Sequence, residues 1–136
     1  MEAGALAANN EKKKILMVDD DEIHLSLAQN ILMEKYEILT AKTGKEALDY
    51  FMNSNFPDLV LLDILMPNMD GWETYKRIRA LSFLKDIPIA FLTSVTDTAE
   101  KERAREIGAV DFIAKPCEKK ELLKRIRKIL KNKKNV

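Results

Sequence analysis

The stretch Pro57-Asp58-Leu59-Val60-Leu61-Leu62-Asp63-Ile64-Leu65-Met66-Pro67 constrains the fold more than any other part of the chain. From Leu59 to Leu62 the residues are apolar without alternation. That pattern suits a strand covered on both faces, as in a parallel sheet. The run ends on one carboxylate, Asp63, and the chain-breaker Pro67 follows shortly after. An acid at the carboxyl end of a buried strand stands where open α/β sheets place their chemistry. Taken alone, Asp63 reads equally well as a cap for the loop that follows.

The same motif recurs along the chain. Ile15-Leu16-Met17-Val18 ends in Asp19-Asp20-Asp21, Ile89-Ala90-Phe91-Leu92 ends in Thr93-Ser94, and Val110-Asp111-Phe112-Ile113-Ala114 ends in Lys115-Pro116. Residues 36–41 are a further short strand candidate. Helical spacing fills the intervals. Over 22–34, Ile23, Leu27 and Ile31 form one stripe with Leu25, Ala28 and Leu32 beside it, and Asp21 is placed to cap the start. Over 45–53, Ala47, Leu48, Phe51 and Met52 are expected to face inward. Trp72, Tyr75, Ile78 and Arg79 share a face over 72–81. Residues 98–107 read as a charge-rich helix, stopped by Gly108 in a left-handed conformation. Over 118–132, Leu122, Leu123, Ile126, Ile129 and Leu130 repeat at helical intervals. Five rounds of strand then helix predict an α/β fold, a doubly wound (βα)5 with a five-stranded parallel sheet. Right-handed crossovers leave the flavodoxin-like order 2-1-3-4-5 as the economical choice. Its switch point, between the first and third strands, brings Asp19 and Asp20 to Asp63.

Length and composition bound the rest. At 136 residues, 46% of them hydrophobic, the chain makes one domain with a sizeable core. Residues 1–11 are expected to be a disordered arm, 12–132 the folded domain and 133–136 a basic tail. The net charge of +1 makes no demand for nucleic acid. The basic residues between Lys119 and Lys134 read as a solvated helix face, with no base-reading element beside them. One cysteine, Cys117, allows no internal disulfide, and a reducing, cytoplasmic setting fits. No apolar run is long enough to span a bilayer, and the first eight residues lack the features of a signal peptide. Cys117 is expected as a small residue at a helix start; a thiol exposed there would be somewhat reactive. His24, the one histidine, is expected to play a surface role.

Carboxylates that share a cleft raise one another's pKa, and a bound divalent cation keeps them ionised together. Oxygen donors favour Mg²⁺, Mn²⁺ or Ca²⁺ over zinc, and Mg²⁺ leaves coordination positions for phosphoryl oxygens. The fourth and fifth strands add a hydroxyl, Thr93, and an ammonium, Lys115. Metal, ammonium and hydroxyl together offset phosphoryl charge, and a carboxylate is a known phosphoryl acceptor. The residues thus read as a Mg²⁺-dependent phosphoryl site with Asp63 as acceptor. The segment Thr43-Gly44-Lys45-Glu46 lacks the spacing of a phosphate loop. Asn68-Met69-Asp70-Gly71 lacks the ligands of a calcium loop.

Val18-Asp19-Asp20, Asp63-Ile64-Leu65-Met66-Pro67 with Met69-Asp70-Gly71, Thr93-Ser94 and Lys115-Pro116, in this order and spacing, resemble the receiver domain of two-component response regulators. The resemblance covers about residues 13–131. It implies that Asp63 takes a phosphoryl group from a sensor histidine kinase or a phosphotransfer protein. It implies Mg²⁺ held by Asp20, Asp63 and the backbone carbonyl of Leu65, with Asp19 acting through water. Lys115 would pair with the phosphoryl oxygens, Thr93 would swing toward them, and Phe112 would turn inward behind it. The Lys115–Pro116 bond would be cis. The switching face would comprise about residues 97–131. Output would pass through that face to an unknown downstream protein or a phosphorylation-dependent homodimer, or through a part of the protein beyond this sequence.

Three departures accompany the resemblance. Phe112 stands where Tyr is frequent, and Cys117 where Phe is common. Leu65 and Val95, two residues after Asp63 and Thr93, are apolar where relatives often carry polar groups. This pair is expected to hinder the attacking water and prolong the phosphate's life. Leu65 also takes the place of the second Asp that phosphohydrolases with an Asp nucleophile carry, so turnover of outside substrates is not expected. The alternative is a receiver-like interaction module that is never phosphorylated. Against it stands the complete set Asp19, Asp20, Asp63, Thr93 and Lys115.

Overall fold

Uninterrupted apolar strands arise because alternate residues feed two different cores. The computed structural model describes residues 12–53 and 56–134. Its strands are β1 (Lys14–Val18), β2 (Glu37–Ala41), β3 (Leu59–Leu62), β4 (Ile89–Thr93) and β5 (Asp111–Ala114). They pair in parallel in the order β2-β1-β3-β4-β5, as the alternation predicted. The helices are α1 (Glu22–Leu32), α2 (Gly44–Met52), α3 (Gly71–Ala80), α4 (Thr98–Glu106) and α5 (Lys119–Lys134), with a 3₁₀ turn at Ser82–Leu84. The arm expected over 1–11 lies outside the described residues, as do residues 135 and 136 of the expected tail.

Leu16, Val18, Val60, Leu62, Ile89 and Phe91 point to one face, where α2, α3 and α4 supply Ala47, Phe51, Trp72, Tyr75, Ile78 and Ala104. Ile15, Met17, Leu59, Leu61, Ala90, Leu92 and Ile113 point to the other, against Leu25, Ala28 and Leu32 of α1 and Leu122, Ile126, Ile129 and Leu130 of α5. Each such large aliphatic side chain stabilises the fold by about 2 kcal/mol on burial. The two-sided demand on β1, β3 and β4 removes any room for polar alternation.

Two inward assignments differ from expectation. Ile23 and Leu27 are 69% and 59% exposed, and α1 buries Leu25, Ala28 and Leu32 instead. Two apolar stripes compete on this helix, and packing against the sheet decides which one is buried. Met52 is 65% exposed because α2 ends there, past the edge of the core. The last helix reaches Lys134 rather than 132.

Caps fix where the helices begin. The Asp21 side chain accepts from the Ile23 and His24 amides, Thr43 from Glu46 and Asp70 from Glu73. At the other end of α4, Gly108 adopts φ 93°, the left-handed conformation expected of it. Gly71 is required for a different reason. A Cβ there would lie 2.2 Å from the Asp63 carbonyl oxygen and 2.7 Å from Ile64 Cα. The bare glycine lets α3 press against the backbone just after β3, with its amide donating to the Ile64 carbonyl at 2.7 Å.

Candidate functional site

The backbone ladders continue one residue beyond the strands and so place the acids. The Asp63 amide donates to the Val18 carbonyl at 2.9 Å, and the Asp19 amide to Ala41 at 3.0 Å. Asp19 and Asp63 therefore emerge side by side at the carboxyl edge of the sheet. On the far side of Asp63, the Lys115 amide donates to the Thr93 carbonyl at 2.9 Å, which carries the lysine out at the same edge. Strand register alone gathers three of the residues singled out in the sequence.

Carboxylate oxygens of Asp19, Asp20 and Asp63 lie within 4.8 Å of one another. Asp19 and Asp63 are buried and Asp20 is exposed. Each buried carboxylate divides its oxygens. Asp63 Oδ1 accepts from the Ile64 amide at 2.7 Å, and its Oδ2 faces Lys115 Nζ at 3.3 Å. Asp19 Oδ1 accepts from the Asp21 amide at 2.9 Å, and its Oδ2 from Lys115 Nζ at 2.6 Å. Backbone donors fix the direction of both carboxylates, which leaves one oxygen of each turned to the cleft. Lys115, with a side chain only 13% exposed, reaches two of the three acids. Three close carboxylates against one ammonium leave surplus negative charge, and all the donors are hard oxygens. This set fits a divalent cation held by oxygen.

Thr93 is fully buried, and its hydroxyl accepts from the Val95 amide at 3.2 Å, so it braces the loop after β4. Phe112 is half-buried, its ring 6.3 Å from that of Phe91. Phe91 also meets Trp72 at 4.7 Å and Tyr75 at 5.7 Å, which forms an aromatic group on this face of the sheet. The Lys115–Pro116 bond is cis, as expected. The side chain of Leu65 is 62% exposed beside the acids, whereas Val95 is half-buried against the core.

Cys117 is half-buried just before α5, as a small residue at a helix start would be, and burial pushes its thiol above the ordinary value of 9.0. One side chain differs from its expected role. His24 belongs to the site rather than to the open surface. Its Nδ1 lies 2.9 Å from Lys115 Nζ and 3.5 Å from Asp19 Oδ2, and its Nε2 lies 3.7 Å from Asp21 Oδ2. Sequence spacing places His24 three residues after the capping Asp21, in the first turn of α1, but carries no sign of the contact with Lys115. The His24 amide and that of Ile23 hold the Asp21 carboxyl below its ordinary value of 3.8.

Residues 15–127 match the family model described as "Response regulator receiver domain". Among curated relatives, the chain is 42% identical over 125 residues to "Probable transcriptional regulator ycf27" of Cyanophora paradoxa, covering 91% of this chain and 51% of that protein. It is 38% identical over 119 residues to "Response regulator MprA" of a Mycobacterium species, covering 87% and 50%. The chain thus spans about half the length of these relatives. Among solved structures, chemotaxis protein CheY4 of Vibrio cholerae superposes with a TM-score of 0.80 at 33% identity, covering 87% of this chain and 98% of that one. A CheY-like receiver domain protein of Methanospirillum hungatei gives 0.82 at 30% identity, covering 92% and 98%. Ladder register, acid cluster and family match agree: the chain belongs to the response regulator receiver domains of two-component signalling.

Proposed function

We propose that this domain accepts a phosphoryl group on Asp63 from a histidine kinase or phosphotransfer protein and relays the event through the face of about residues 97–131. The observation that carries the reading is the orientation of Asp63. One oxygen is tied to the Ile64 amide and the other is turned toward Lys115. An acceptor carboxylate needs one oxygen held by no backbone donor and turned to the cleft from which the phosphorus arrives. It also needs a nearby cation to offset the phosphoryl charge.

Asp20 and Asp63, the Leu65 carbonyl and, through water, Asp19 would hold Mg²⁺, which when bound neutralises charge on the phosphoryl oxygens. Lys115 carries the remaining positive charge and exchanges its carboxylate contacts for phosphoryl oxygens. Thr93 gives up its bond to the Val95 amide and turns its hydroxyl toward the phosphate. Phe112, half-buried beside Phe91, moves inward into the space behind it. Phosphorylation biases an existing equilibrium between these arrangements. The partners are then a kinase or phosphotransfer protein upstream and, downstream, a second copy or another protein that reads the changed face. Among the described residues no helix is long and apolar enough to cross a membrane.

The test is direct. The chain is incubated with acetyl phosphate and Mg²⁺ and followed by intact mass. One acid-stable, base-labile phosphoryl adduct is expected, and it should be absent from Asp63→Asn and absent with a chelator. No adduct would favour the silent interaction module. Repeated turnover of phosphate esters would favour a hydrolase.

A further inference from the structure

Lys115 carries three N–H donors and no acceptor. Asp19 Oδ2 at 2.6 Å and Asp63 Oδ2 at 3.3 Å take two of them. The third direction meets His24 Nδ1 at 2.9 Å. An ammonium has no lone pair, so the imidazole nitrogen facing it must be the acceptor. The ring proton then sits on Nε2, which lies 3.7 Å from Asp21 Oδ2. Asp21 is thereby used twice. Its Oδ1 accepts from the Ile23 and His24 amides at 2.8 and 3.3 Å, and its Oδ2 faces the far nitrogen of the ring. One capping residue thus holds the backbone amide of His24 and turns its second oxygen toward the ring.

We propose that His24 is a positioning residue for phosphoryl transfer: its Nδ1 holds the Lys115 ammonium against Asp19 and Asp63 before the phosphoryl group arrives. The inference rests on the reading of Asp63 as phosphoacceptor and names a residue which that reading does not require. A lysine has a long flexible stem and loses much rotamer freedom when its head is fixed. With all three donors satisfied, the ammonium stays in the cleft instead of sampling water. The acceptor also brings no negative charge. A further carboxylate in its place would hold Lys115 as well, but it would add negative charge to a cleft already holding Asp19, Asp20 and Asp63. An incoming phosphoryl group would then be repelled. Imidazole supplies the acceptor without the charge. When the phosphoryl oxygens arrive they displace the carboxylates on Lys115, and His24 keeps the head group in place during the exchange.

The role is tested with His24→Leu, which fills space without an acceptor, and His24→Asn, whose side-chain carbonyl replaces Nδ1. His24 is 40% exposed, so both changes are compatible with folding, and far-UV circular dichroism checks this. Phosphorylation by acetyl phosphate with Mg²⁺ is timed by quenched intact mass. The Leu variant is expected to be about tenfold slower, the effect of losing one hydrogen bond to a charged group, with the Asn variant restored to within about twofold of wild type. A Leu variant as fast as wild type, or an Asn variant as slow as Leu, would overturn the proposal. A second readout does not depend on phosphorylation. In labelled wild type, a through-hydrogen-bond coupling between the Lys115 Nζ and His24 Nδ1 nitrogens is expected, with the ring proton on Nε2. Its absence, or a proton on Nδ1, would overturn the positioning role even if Asp63 is phosphorylated. Conversely, a wild type that shows the coupling but takes no phosphoryl group would overturn the phosphoacceptor reading while leaving the contact in place.

Discussion

Asp63 has its two oxygens assigned before any ligand arrives: Oδ1 takes the Ile64 amide and Oδ2 looks toward Lys115. Around it the chain places Leu65 in the open and Val95 half-buried. If these apolar side chains obstruct the water that hydrolyses the acyl phosphate, the double change Leu65→Asn with Val95→Glu should shorten the phosphate's half-life by about tenfold, or ~1.4 kcal/mol in barrier. Decay of the purified phosphoprotein, followed by intact mass, checks this, and an unchanged half-life would discard it. Cys117 gives a prediction of opposite kind. Burial favours its neutral thiol, so the thiolate forms only above the ordinary value of 9.0. Its alkylation by iodoacetamide at pH 7 should be slower than that of an unfolded control, with the rate rising at a higher pH than in the control. At this scale the sequence was legible where residues close a strand, as with Asp19, Asp63, Thr93 and Lys115. It was not legible for His24, because a contact with Lys115 across 91 residues leaves no local pattern.

Among the elements, α3 presses closely on the chain as it leaves β3. Gly71 leaves no room for a methyl group above the Asp63 carbonyl. Gly71→Ala must therefore shift either α3 or the Asp63 backbone. Overpacking of this kind costs about 1–3 kcal/mol, measurable by urea unfolding, and the same shift should slow phosphorylation of Asp63. A variant with wild-type stability and rate would show that the contact relaxes freely. The clasp between α3 and α4 is of another kind. Trp72 Nε1 donates to Glu100 at 3.2 Å, and Arg103 lies 4.3 Å over the indole. Only Ala104 of α4 is buried, so polar contacts carry much of its attachment. That suits an element expected to move, since a few exposed bonds open more easily than a packed core. The start of α1 was readable from Asp21, because a cap is local. Which of two apolar stripes α1 would bury was not, since both satisfied the helical period and only the sheet beneath chooses.

Over the whole molecule, the sheet order followed from the alternation of runs and helices, because parallel strands demand crossovers and crossovers have one hand. That order creates the switch point at which Asp19, Asp20 and Asp63 meet. From there the aromatic group of Trp72, Tyr75, Phe91 and Phe112 links β4 and β5 to α3 on one face of the sheet. Under the proposed function, it would give an event at Asp63 a packed route toward the face of about residues 97–131. The account stands or falls on where the phosphoryl group is carried. The most direct measurement is hydride reduction of the acetyl-phosphate-treated chain, which converts an aspartyl phosphate to homoserine, followed by proteolysis and mass mapping of every acidic residue. Homoserine at position 63, and at no other, is the predicted result. Reduction at Asp19, Asp20 or Asp58 instead, or at none of them, would contradict it.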